Sequence, residues 1–263
     1  MVAKQDVESA SLANPDFPGS FRKFISDSWS LVEIKVIVTR RHILWHAFGA
    51  LIFPLSMFYW ATAISPGRFE SNFRILVGTL ILGIGQAVGS NVGLWTLQDR
   101  FTRRLRLLLT MPVSKASYAI GTLVYGGLQS IILVTLILLF AWLAGADYSL
   151  HWTVPILILG IIVTMTGATL IVVSLVPDVN IGIIANSMLG IVLVMLSPVF
   201  YTFENAPRLF KWLGWISPFR YAADGIEKGL SGQSASWSEL TILTGAAIVS
   251  MTVGIRILRW RDI

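Results

Sequence analysis

Six apolar runs, each close to the length of a bilayer crossing, constrain this chain more than any other feature. They lie near 43–64, 75–97, 117–143, 153–176, 181–201 and 238–258. A helix rising 1.5 Å per residue needs about 20 apolar residues to cross a hydrocarbon core of ~30 Å. Inside that core the backbone must satisfy its own polar groups, so runs of this length predict α-helices. Composition agrees. Of 263 residues, 55% are hydrophobic and 13% charged, where a soluble domain carries about a quarter charged. The expected class is an all-α integral membrane protein with six transmembrane helices.

Lys and Arg set its orientation. With both termini inside, inner segments hold fourteen of them and outer segments six. The positive-inside rule then places the N and C termini in the cytoplasm. The net charge of +6 needs no nucleic-acid partner, because cytoplasmic loops of multi-pass proteins collect basic residues.

The chain before the first run divides in two. Residues 1–19 are polar, with Pro15, Pro18 and Gly19, and read as a mobile cytoplasmic tail. Residues 20–42 read as an amphipathic helix lying in the membrane interface. Its expected apolar side is Phe21, Phe24, Ile25, Trp29, Leu31, Val32 and Val36, interrupted by Ser28 and Lys35. No cleavable signal peptide is expected, since the first forty residues are polar or amphipathic.

Several chemistries find no support. The chain has no cysteine, which removes disulfides and thiolate metal sites. His42 and His46 could share a helix face, but a metal site needs more ligands than that pair. No GxxxxGK[ST] loop is present to cradle a nucleotide phosphate. No acid sits mid-span with an obvious basic partner, which argues against a proton-coupled carrier. Energy is therefore expected from outside the chain.

Four segments remain for function. The loop 98–116 carries Arg100, Arg103, Arg104 and Arg106 among leucines, and Pro112 closes it. It suits a soluble partner, and equally anionic lipid. The second run carries Gly85, Gly89 and Gly93 with Asn91 nearby; the fifth carries Gly182, Asn186 and Gly190. Small residues four apart let helices approach closely. They fit a moving interface beside a substrate path or static packing in one bundle. The outer segment 202–237 reads as two short amphipathic pieces, 206–215 and 218–230, that re-enter the leaflet before the last span. Its aromatics suit an exit at the outer leaflet or an interfacial belt.

On these residues the chain resembles the transmembrane subunits of ABC-type-2 exporters. Asp99, Arg100, Arg103 and Pro112 match the acid, basic residues and later proline of that family's coupling helix. Ser197, Pro198, Pro207, Pro218 and Asp224 match its end of span five and re-entrant helices. Asp99 and Asp224 stand where Glu is commoner, and Ser217 where Asn is commoner.

The resemblance implies a permease subunit with no ATP site of its own, served by a cytoplasmic ABC ATPase in two copies that carries ATP and Mg. Asp99, Arg100, Arg103 and Arg104 are then the expected polar contacts to it, with Leu105, Leu108 and Leu109 on the apolar face and Pro112 behind. A second permease subunit completes the pathway, a homodimer by default with a heterodimer known in the family. Gly85, Gly89, Asn91, Gly93, Gly182, Asn186, Gly190, Phe200 and Tyr201 are the candidates for path and subunit interface. The expected function is export of a drug, lipid or lipid-linked glycan across a bacterial or archaeal inner membrane. A different class fits the same loop: a non-transporting scaffold that holds a soluble partner.

Overall fold

The apolar runs fold as helices, and polar residues between them mark the ends. The computed structural model describes residues 21–40, 43–64, 73–102, 113–200 and 208–258. Within these, the helices are α1 (Phe21–Arg40), α2 (Ile43–Ile64), α3 (Phe73–Phe101), α4 (Lys115–Leu143), α5 (Thr153–Leu175), α6 (Val179–Met195), α7 (Arg208–Ile216), α8 (Pro218–Leu230) and α9 (Trp237–Ile257). No β-strand is present among the described residues. Four of these helices, α3, α4, α5 and α9, are long and apolar enough to cross a membrane. This is an all-α membrane protein.

Side chains fix several helix starts by taking up backbone N–H groups that the first turn leaves unpaired. Ser114 Oγ accepts from the Ser117 N–H at 3.0 Å and opens α4. Asp178 Oδ1 accepts from the Asn180 and Ile181 N–H groups at 2.7 and 3.0 Å and opens α6. Ser236 and Glu239 form a reciprocal capping box at α9. Pro218 sits in the first turn of α8, where its missing N–H costs nothing.

The core gathers around α3. Its most apolar stretch is 83% buried inside the chain, against 22% for α9. That contrast makes α3 the central strut and α9 a peripheral helix with most of its apolar surface outside the chain's own core. Leu80, Ile81 and Ile84 of α3 meet Leu133 and Ile137 of α4 and Leu157 of α5 in one cluster. α5 and α9 pair most extensively, α8 lies across α3, α5 and α9, and α6 runs along α3. Midway along α3 the backbone widens into a π-helical turn, Ala87–Val92. Such turns are uncommon and often mark functional positions.

α1 departs from the expected pattern. It lies on α4, and its buried face is Ser28, Leu31, Val32, Lys35 and Thr39. Those positions recur at helical spacing, so the two residues expected to interrupt the apolar stripe belong to the packed face. Phe21, Ile25, Trp29 and Val36, expected on one apolar side with Leu31 and Val32, are exposed. Lys35 and Thr39 turn inward to the hydroxyls of Thr122 and Tyr125 on α4, while the Ser28 hydroxyl donates to the Phe24 carbonyl of α1 itself.

Candidate functional site

The last turn of α3 brings Asp99 and Arg100 into the bundle rather than leaving them on its surface. Arg100 is 7% exposed and donates to two backbone carbonyls, those of Val173 and Val176, the second at 2.9 Å. These carbonyls end α5, where the helix dipole favours a cation. Arg100, expected as a contact for a soluble partner, is instead spent inside the chain as the C-terminal cap of α5. Asp99 is half-buried, and its Oδ2 accepts the Tyr118 hydroxyl of α4 at 3.0 Å. Arg103, Arg104, Leu105, Leu108, Leu109 and Pro112 lie outside the described residues.

Beside Asp99 is a polar group that the sequence did not single out. Lys35 of α1 is 5% exposed, and its Nζ donates to Thr122 Oγ1 at 2.9 Å. The ammonium sits 4.9 Å from the Tyr118 ring centroid and 5.9 Å from that of Tyr125. One turn further along α1, Thr39 shares a 2.6 Å hydrogen bond with the Tyr125 hydroxyl, which also accepts from Gln129 Nε2. Burial brings the Lys35 ammonium down to about 8 from its ordinary 10.5, against the opposing pull of the Asp99 carboxylate. The readable signal was the helical spacing of Ser28, Lys35 and Thr39.

The small residues of α3 and α6 form a seam between these two helices of one chain. A Cβ built on Gly190 would lie 2.6 Å from the Gly85 carbonyl carbon. One on Gly89 would meet the Asn186 carbonyl oxygen at 2.7 Å, one on Gly93 the Asn186 side chain at 2.7 Å, and one on Gly182 Leu97 at 2.5 Å. Gly85, Gly89, Gly93, Gly182, Asn186 and Gly190 are all buried in the seam. These contacts pack α3 against α6 within one chain. Asn91 is different. It shares a half-buried polar strip of α3 with Gln86, Ser90 and Gln98, and Ser90 Oγ donates to Gln86 Oε1 at 2.9 Å. Phe200 lies over Gly78 near the far end of the same helix. Tyr201 lies outside the described residues.

At that far end α3 begins with a second ionic site. Arg74 Nη1 bonds Asp224 Oδ1 at 2.6 Å and Glu227 Oε2 at 2.9 Å, both on α8. Its Nη2 donates to the Pro198 carbonyl at 2.6 Å, just beyond α6. Arg220 Nε lies 3.5 Å from Asp224 Oδ2, and Lys228 pairs with Glu239 of α9 at 2.5 Å. The hydroxyls of Ser197 and Ser217 bond at 2.5 Å, tying the end of α6 to the start of α8. Arg74 is thus an ionisable residue with acidic partners. The sequence missed it because the partners are 150 and 153 residues away.

A family model described as ABC-2 type transporter matches residues 47–230, well over half of the chain. The chain belongs to the ABC-2 type transporter family. No curated protein matches it. The ABC-2 match runs from within α2 to the end of α8, so it takes in the α3–α6 seam, the Asp99 root and the Arg74 network. α1, with Lys35, and α9 lie outside it. As an ABC-2 membrane domain the chain is a permease component of an ABC transporter, sits in a membrane through several apolar helices, and belongs with an ABC ATPase partner.

Proposed function

We propose that this ABC-2 permease exports an amphipathic or lipid-linked molecule, and that segment 98–116 receives the push of the ATPase. The carrying observation is the root of that segment. Asp99 is tied to α4 through Tyr118 and Arg100 to the end of α5, so a displacement of the segment acts on two further helices at once. ATP-driven closure can act only through contacts that differ between two states, and a root bonded to several helices supplies such contacts.

Two ATPase subunits, which hold ATP and Mg, would serve two permeases, a homodimer by symmetry. The strip Gln86, Ser90, Asn91 and Gln98 supports a path beside α3. Polar groups on a membrane helix seldom face lipid and commonly face a partner or an aqueous cavity. In this reading α2 and α6 complete six spans, and α7 and α8 dip into the outer leaflet. The Asp99 end and both termini are cytoplasmic in the inner membrane of a prokaryote, and α1 lies on lipid headgroups. The cargo is a drug, a lipid or a lipid-linked glycan.

The test is the double variant Arg103→Glu, Arg104→Glu, reconstituted with the ABC ATPase partner. Membrane insertion is expected to survive, while the permease loses its hold on the ATPase and its effect on ATP turnover. Wild-type binding and turnover by the double variant would sink the coupling assignment.

A further inference from the structure

Lysine is seldom buried without a charged or well-bonded partner, because removing an ammonium from water is costly. Position 35 is 5% exposed, on a helix face otherwise made of Ser28, Leu31, Val32 and Thr39. A methionine would fill that space without the cost. Anchoring of α1 does not demand a charge either. Gly121 already lets the α1 backbone sit on α4, since a Cβ there would lie 3.0 Å from the Ser28 carbonyl oxygen. The charge therefore calls for a reason beyond packing.

The geometry supplies one. The Lys35 ammonium is over the face of Tyr118, and the Tyr118 hydroxyl reaches Asp99. A cation on the ring and a carboxylate on the hydroxyl act on one side chain, and their charges attract. We propose that Lys35 is a positioning residue: through Tyr118 it holds Asp99, and so the start of segment 98–116, to α1 and α4. α1 would then move with the segment instead of resting passively on the bundle. This rests on the reading of 98–116 as the ATPase contact.

Among the described residues, the groups that face Lys35 are Asp99 from α3 and Tyr118, Thr122 and Tyr125 from α4. Its proton gives the proposal a distinctive pH sign. The folded-state pKa, about 8, lies below the ordinary 10.5. Between those values the unfolded chain holds the proton and the folded chain does not, so stability rises with pH across that window. The attraction toward Asp99 disappears over the same window. Stability and positioning thus change in opposite directions, which a merely structural lysine would not produce.

The cysteine-free background allows spin labels at Ser26→Cys on α1 and Thr102→Cys at the end of the root, both exposed sites. Their distance is measured on the full chain in lipid nanodiscs, with and without the ABC ATPase partner, at pH 7 and pH 9.5. The expected result is a narrow distribution at pH 7 whose width roughly doubles at pH 9.5, as a freed segment samples more positions. Lys35→Met should be broad at both pH values, with a melting temperature no lower than that of the parent. A narrow distribution for Lys35→Met, or a pH response that survives in it, overturns the proposal. If Lys35→Met does not fold, the parent decides alone, because no change up to pH 9.5 also overturns it. The measurement on the permease without ATPase keeps the two readings apart. Failure to bind ATPase defeats the coupling assignment and leaves the distance result to judge Lys35.

Discussion

The two ends of α3 both carry charge, and they carry it differently. At the Arg74 end one guanidinium meets two carboxylates and a carbonyl, so opposite full charges compensate each other. At the Asp99 end the buried ammonium of Lys35 meets a hydroxyl and two aromatic faces, and the carboxylate is reached through Tyr118. A paired network resists rupture, because removing one member strands the others. A charge held by neutral groups can leave more easily. The contrast suits a helix clamped at one end and jointed at the other.

The largest break in this contrast should come from the clamp. Arg74→Met leaves Asp224, Glu227 and the Pro198 carbonyl without their shared donor. The two acids are 27% and 35% exposed, so the cost is placed at the low end of the range for broken buried pairs, about 3 kcal/mol. Thermal unfolding in lipid checks it. A melting temperature as unchanged as that expected for Lys35→Met would erase the difference between the ends.

A smaller effect tests the length between them. Gly190→Ala pushes a Cβ against the Gly85 backbone, which cannot yield as a side-chain tip does. The expected loss is about 1–3 kcal/mol, the usual cost of overpacking. A stability equal to the parent's would mean that α3 and α6 are not in close contact and that no rigid strut joins the two ends.

These expectations also mark what the sequence disclosed. Hydropathy and prolines located the helices well: runs read at 43–64 and 153–176 fold as Ile43–Ile64 and Thr153–Leu175, and the piece at 218–230 as Pro218–Leu230. Length and local periodicity carry that information. What lies opposite a face is not local. Gly85 and Gly190 announce a close approach without saying whether the neighbour is the same chain or a second one. Arg100 looked like surface because its acceptors are backbone carbonyls, which have no sequence signature. Lys35 looked like a flaw in a stripe until α4 supplied Thr122 and Tyr118. The Arg74 network joins elements 150 residues apart, beyond any periodic signal.

The central claim is that force enters at the Asp99 end. Single cysteines at Thr102, beside the root, and at Trp237, 83% exposed at the start of α9, give the most direct test. Each is labelled with a short maleimide–benzophenone, whose photoactivated ketone inserts into C–H bonds and needs no thiol on the partner, in membranes that contain the ABC ATPase partner. The account predicts a covalent permease–ATPase adduct from position 102 and none from position 237. An adduct from position 237, or none from position 102 in any nucleotide state, would contradict it.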